Sequence, residues 1–404
     1  MKAHTKLSKE ASYTMHTTIN EHDFSCTRDG LTIRGRAFVP QGDHLPAIIV
    51  SHGFGGNSKD LYTYCQTLAS WGYAAFCFDF CGGSAPGQGA SDGASTDMTV
   101  LTECEDLMAV MDYVKGLDAV DAGKMTLLGF SQGGFVSALA AAGRPSEVAS
   151  LILIYPALCI PDHAREGALA GASYDINDVP EVIDCGHMQI SKRFHDAVVE
   201  MDPFETIVSY KGPVLLMHGT DDQVVPYTYA VKAQESYTLE QCHLQLIQEA
   251  GHSFTENQNA SALVSIQQFL LGKKEILTIR VQITGSEGRK EEGSHRQIAV
   301  LFTGNCDSRY FKGAIIPGAE DVQEYAGDQL VSMRADYTLE GTDYTGELCR
   351  IHIVNQNVNG EWKPSIETDS RALAFLNQED LTAALEGYTE GLTVRIYSAA
   401  PELG

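Results

Sequence analysis

The chain has 404 residues, 44% of them hydrophobic and 20% charged, a globular rather than a disordered composition. Its 53 acidic and 28 basic residues give a formal net charge of −25, which excludes unaided binding to nucleic acid or to an anionic membrane surface, since both need a Lys/Arg face. No apolar run is long enough to span a membrane, the first residues (MKAHTKLSKEASYTMHTT) lack the apolar stretch of a secretory leader, and the ten cysteines show no paired zinc-type spacing, so a reducing, cytoplasmic location is expected.

In chain order, residues 24–28 and 31–38 flank Asp29-Gly30, a hairpin turn signal. Short apolar runs at 47–50, 74–78, 125–128, 151–154 and 214–217 read as buried strands. Helical patterns fall at 59–70, 97–115, 133–142, 227–236 and 260–271. Near-continuous apolar strands separated by helices predict an α/β fold, a mostly parallel sheet covered on both faces. The texture changes near 271–274. Beyond it, Leu277, Ile279, Val281 and Ile283, and later Leu392, Val394 and Ile396, alternate with polar residues, as half-buried antiparallel strands do. Residues 285–296 (GSEGRKEEGSHR) read as a polar loop, and only 378–386 reads as helical. The expectation is a catalytic domain over 1–272 and a smaller all-β barrel or sandwich over 275–404. The charges are −15 over residues 1–274 and −10 over 275–404, so charge does not separate their partners.

The strongest chemical signal is Gly129-Phe130-Ser131-Gln132-Gly133-Gly134, between a predicted strand and a predicted helix. A G-x-S-x-G elbow needs small residues because the chain turns sharply there, presenting Ser131 on strained backbone at a helix N-terminus. A serine hydroxyl is a weak nucleophile at neutral pH and requires a base and a group that orients it. After the strand at 214–217 comes His218-Gly219-Thr220-Asp221-Asp222-Gln223-Val224-Val225-Pro226, whose spacing favours Asp222 over Asp221 as the orienting carboxylate. Residues 244–247 form another strand, followed by Gly251-His252-Ser253, which makes His252 the best base among thirteen histidines. The order Ser–Asp–His is that of a hydrolase triad. Ser51-His52-Gly53-Phe54-Gly55-Gly56-Asn57 follows the strand at 47–50, and the backbone N–H groups of Phe54 and Gln132 are the expected oxyanion hole. Such a site needs no metal or organic cofactor. Cys77 and Cys81 are expected to pack rather than to ligate.

Together HGFGGN, GFSQGG, HGTDDQVVP and AGHSF resemble the α/β-hydrolase superfamily and, more specifically, the bacterial feruloyl (cinnamoyl) esterases, over about residues 20–272. The resemblance implies a small cap from the insert at 158–210 and a serine carboxylesterase acting on small hydroxycinnamate esters. Within the cap it points to Asp162, His163 and Phe194 as residues that could meet the substrate ring; Phe194 stands where some members have tyrosine. The stretch 79–89 departs from the family's short G-H-G-x-S loop, and a structural role is expected for it. A serine peptidase on short peptides and an acyltransferase are the rival enzyme classes, and a binding scaffold with an idle elbow is the non-enzymatic one. The motifs around Tyr310–Asp321, Arg334–Leu339 and Ala372–Asn377 resemble a bacterial β-barrel domain family of unknown function. Two readings of that domain follow: an interaction module that extends the cap or makes a homo-oligomer, or a separate small-ligand barrel. His352 and Asp336 are read there as surface or rim residues, with a cavity-lining position as the alternative.

Overall fold

Asp29 and Gly30 both have positive φ (50° and 83°), the backbone a two-residue hairpin turn needs, and Arg28 pairs with Leu31 across them. The computed structural model describes residues 18–358 and 361–399. The expectation of no secretory leader falls on residues that lie largely outside those described. The hairpin joins β1 (Ile19–Arg28) to β2 (Leu31–Pro40). There follow β3 (Leu45–Ser51), β4 (Ala74–Asp79), β5 (Val120–Phe130) and β6 (Ser150–Ile154), then a short hairpin of β7 (Val182–Asp184) and β8 (Gln189–Ser191), then β9 (Val214–Gly219) and β10 (Cys242–Ile247). Eight of these strands form one sheet in the order β1-β2-β4-β3-β5-β6-β9-β10. Pairing is parallel between β3 and β4, β3 and β5, and β5 and β6, and every residue of β4 is buried, as expected of a sheet covered on both faces.

The helices begin where the chain supplies a cap. Thr99 and Thr102 exchange side-chain and backbone hydrogen bonds, so that helix runs Val100–Lys115 rather than from the predicted 97. Thr255 caps Glu256–Leu270 in the same way, starting it four residues before the predicted 260. The insert at 158–210 contains helices Ile160–Glu166, Lys192–Val198 and Pro203–Ile207 besides the β7–β8 hairpin.

The chain divides into two compact units. One extends to Leu216 and takes in Val231–His243; the other comprises Met217–Ala230 and the chain from Leu244. The change of fold at 272–274 therefore lies inside the second unit. There the helix Glu256–Leu270 bonds to the C-terminal strands: Ser261 donates to the Leu385 carbonyl, Ser265 meets the Tyr397 hydroxyl at 2.8 Å, and the Thr382 hydroxyl donates to Gln268.

Those strands are β11 (Lys274–Glu292), β12 (His295–Asp307), β13 (Phe311–Ile315), β14 (Glu320–Ala326), β15 (Gln329–Asp343), β16 (Leu348–Val358), β17 (Glu361–Thr368), β18 (Thr382–Tyr388) and β19 (Gly391–Ser398). Their order is β11-β19-β18-β17-β16-β15-β13-β12-β14, and the additional β11–β12 pairing closes the ring into a barrel. Alternate residues such as Ile279, Leu339, Ile351, Ile353 and Ile396 fill its core. Two expectations fail here. The stretch 285–296 is not a loop but the exposed ends of β11 and β12, paired as far as Glu292–His295 around Gly293. The stretch 378–386 is not a helix: Thr382–Tyr388 pairs with β19, and the helical turn lies earlier, at Ala374–Asn377. Pairing with β19 outweighs local helical preference in so short a segment.

Candidate active site

Ser131 follows β5 directly and has φ 52° and ψ −120°, a backbone that a non-glycine residue adopts at a cost on the order of 1–3 kcal/mol. Its surroundings hold it there. Its N–H donates to the Ile154 carbonyl, and its own carbonyl accepts from the amides of Gly134, Phe135 and Ala157. The turn is tight enough that a Cβ at Gly129 would collide with the Gly133 carbonyl, and one at Gly133 with the carbonyls of Ser51 and His52. The helix that follows, Gln132–Gly143, starts at once, so the Gln132 amide is one of the helix's unpaired N-terminal donors.

The loop after β3 lies against the elbow: a Cβ placed on Gly53 would stand 3.1 Å from that of Ser131. One side chain orients this loop. His52 is buried, and burial lowers its pKa, so the ring is neutral. Its Nε2 accepts from the Phe80 amide at 3.2 Å, which leaves Nδ1–H to donate to the Gly53 carbonyl at 2.7 Å. The Gly56 amide also donates to that carbonyl. With the C=O of the Gly53–Phe54 peptide held on one side, its trans N–H, that of Phe54, faces the other way.

Two further groups support the loop and the elbow. Gly55 exchanges backbone hydrogen bonds with Gly83 and Ala85, and Asp79 accepts from the amides of Ser58 and Ala90, so the divergent stretch 79–89 braces the loop after β3. Under the elbow, the Gln132 side chain donates to Glu103 Oε2 at 2.8 Å. Glu103 is buried, and burial drives its pKa well above the ordinary glutamate range despite that bond. Cys77 and Cys81 are buried free thiols, and burial beside Asp106 pushes the Cys81 thiol up to about 12.

In the second unit, Asp222 rather than Asp221 reaches the imidazole: His252 Nδ1 lies 2.8 Å from Asp222 Oδ2. Asp222 is buried and its other oxygen accepts from the amides of Val224 and Val225 at 2.9 Å, while His218 Nε2 stands 3.2 Å from Oδ2. Burial raises the Asp222 pKa, but the bonds from His218, His252 and Val225 outweigh it and hold the carboxyl far below its usual range. Asp221 is exposed, and its carboxylate accepts from the Thr220 hydroxyl. An ionised carboxylate on Nδ1 keeps the ring proton there, so any base chemistry at His252 falls to Nε2. The residue Glu249, three before His252, has φ 58° and accepts from the amide and hydroxyl of Thr389 in the β18–β19 turn.

Of the predicted substrate contacts, Asp162 is ion-paired with Arg165 at 2.5 Å, His163 lies on the same short helix, and Phe194, on the helix Lys192–Val198, is 2% exposed. Sequence reasoning missed His187: at the tip of the β7–β8 hairpin, its ring meets that of Phe54 edge-on at 5.4 Å. It also missed the roles of His52 and Glu103, whose local sequence gave no signal of them. His352 and Asp336 pair at 2.8 Å on the outer face of the barrel, since Tyr337, Ile351 and Ile353 take the inward positions; they do not line a cavity.

Comparison with known proteins bears on the fold. A family model described as serine aminopeptidase, S33, a hydrolase family, matches residues 42–174. The structure of Est1E from Butyrivibrio proteoclasticus with ferulic acid bound superposes with a TM-score of 0.57 at 28% identity, covering 62% of this chain and 98% of that one. This chain carries an α/β-hydrolase domain. It is also similar to a putative carboxymethylenebutenolidase of Methylorubrum extorquens, 24% identical over 243 residues, covering 56% of this chain and 69% of the relative. Mitochondrial palmitoyl-protein thioesterase ABHD10 of Mus musculus is 24% identical over 248 residues, covering 56% and 76%. Among the described residues, no helix is long and apolar enough to cross a membrane.

Proposed function

We propose that the protein is a serine carboxylesterase that hydrolyses small hydroxycinnamate esters, with Ser131, His252 and Asp222 as its triad. The observation that carries this reading is the strained Ser131 elbow bordered by the Gly53–Phe54 peptide, which supplies a nucleophile and an oriented amide on rigid backbone. In the proposed reaction, His252 Nε2 takes the Ser131 proton as Oγ bonds to the ester carbonyl carbon. The oxyanion accepts from the amides of Phe54 and Gln132, each such donor being worth about 2.7–4 kcal/mol of barrier. The tetrahedral intermediate collapses, His252 returns the proton to the leaving alcohol, and an acyl-enzyme remains. Water, deprotonated by His252, then attacks the acyl carbon and releases the acid and free Ser131. Asp222 holds the tautomer throughout and stays ionised.

The hydroxycinnamoyl preference is supported by the likeness to Est1E, solved with ferulic acid bound. Asp162, His163 and Phe194 are the cap residues proposed to meet the ring. A reduced cytoplasmic setting fits the ten free cysteines. A second reading, an aminopeptidase, is favoured by the description of the matching family model. Methyl ferulate and aminoacyl anilides separate the two. Hydrolysis of the ester with no anilide cleavage is expected; the reverse pattern contradicts the esterase reading.

A further inference from the structure

The C-terminal barrel contains a cavity of about 130 Å³. Its walls are mainly apolar and aromatic, including Phe302, Met333, Trp362, Leu385 and Val394, and Phe302 stands edge-on to Tyr337 at 5.4 Å. Three of the lining residues carry a buried polar atom: Asp321 Oδ1, the Tyr337 hydroxyl and Asn355 Oδ1. None has a hydrogen-bond partner among the described residues, although Asn355 is only 2% and Tyr337 only 4% exposed. Buried polar groups are rarely left unpaired, and three of them on residues lining one cavity are accounted for by an occupant. The three converge through register. Asp321 on β14 pairs with Ala335 on β15, and Ala335 with Asn355 on β16, so all three lie in one row across the inner face; Tyr337 is the next inward residue of β15. Ile283, 49% exposed, also lines the cavity and marks its open side.

We propose that this cavity is a binding site for a small neutral phenol, a single aromatic ring bearing a hydroxyl group. The volume suits one ring: a dry apolar cavity of about 150 Å³ admits benzene. The polar atoms then specify what the ring carries. Asp321 and Asn355 each offer an acceptor, and the Tyr337 hydroxyl needs an acceptor for its proton. A phenolic hydroxyl answers both, donating to a carboxylate or amide oxygen and accepting from the tyrosine. Asp321 Oδ2 accepts from the Gln323 side chain at 3.2 Å, and the Arg334 backbone also bonds the carboxyl, which holds it in place. A carboxylate ligand would face that carboxyl and those acceptors with nothing cationic lining the cavity. The site is separate from the proposed esterase chemistry and does not depend on it.

Isothermal titration of the full chain with 4-methylphenol, toluene, benzoate and benzylamine tests this. The phenol is expected to bind at least about tenfold more tightly than toluene, the cost of leaving buried polar atoms unpaired, with benzoate not binding. Tyr337→Phe, a conservative change, and Asn355→Leu are each expected to weaken the phenol about tenfold while leaving toluene unchanged. Ala335→Leu, which fills the cavity, is expected to abolish binding of both. Equal affinity for phenol and toluene, tighter binding of benzylamine, no detectable phenol binding, or phenol binding that survives Ala335→Leu would each overturn the assignment.

Discussion

The Ser131 elbow and the barrel cavity treat buried polar groups in opposite ways. At the elbow, the groups that support the chemistry are already satisfied. His52 spends both ring nitrogens on backbone groups, and Gln132 bonds Glu103. The atoms left for a substrate there are main-chain amides. In the barrel, three side-chain atoms on an apolar wall have no partner among the described residues. The first arrangement is built to be rigid before substrate arrives; the second is built to be completed by what enters it. The difference predicts opposite responses to removing a polar side chain.

The largest effect is expected at Ser131. Ser131→Ala should lower ester turnover by about 10⁴–10⁶-fold, as loss of the nucleophile does in other serine hydrolases, measured as kcat/KM on methyl ferulate. Ser131→Gly should match that loss and yet raise stability by about 1 kcal/mol in denaturant unfolding, because glycine adopts the φ of 52° without strain. A gain in activity or a loss of stability would break the rigid-elbow half of the comparison.

His52→Phe comes next. It removes the donor that holds the Gly53 carbonyl and leaves the Phe80 amide unpaired. A fall in kcat of about 10²-fold with little change in KM is expected, the size of losing one oxyanion donor, together with a drop in stability. At the barrel, Asn355→Leu should do the reverse to stability, raising it by about 1 kcal/mol in the ligand-free protein, since it replaces an unpaired buried polar atom with an apolar one. If the two substitutions shift the melting temperature in the same direction, the distinction between the regions fails.

The smallest effect sharpens the comparison through pH. Glu103 keeps its proton in the folded chain at pH values where the unfolded chain loses it. Stability from this raised pKa is fully present below the unfolded glutamate value and is lost as pH rises toward the folded one. Glu103→Gln, which can still face Gln132, should therefore match the wild type near pH 4 and exceed it increasingly between about pH 5 and 8. Melting temperatures across that range check the sign; a variant that loses ground as pH rises would contradict it.

How much of this was legible in the sequence follows from where the groups lie along the chain. The elbow, the loop at 51–57 and the Asp222 and His252 segments are contiguous motifs just after strands, so spacing alone exposes them. The hairpin at Asp29-Gly30 is legible for the same reason. His187 sits at the tip of the β7–β8 hairpin, 133 residues from the Phe54 ring it touches, and no periodicity connects them. The cavity trio spans three strands, and its convergence depends on antiparallel register that no local pattern encodes. The failed helix at 378–386 has a related cause: strand β18 owes its state to β19, a partner the local sequence does not name.

The central claim is that Ser131 is the activated nucleophile. Treating the full chain with a fluorophosphonate and locating the adduct by peptide mass spectrometry tests it most directly. A single phosphonyl group on Ser131, formed in step with loss of esterase activity and absent from His252→Ala, is the predicted result. An adduct on another residue, or full activity with Ser131 modified, would contradict it.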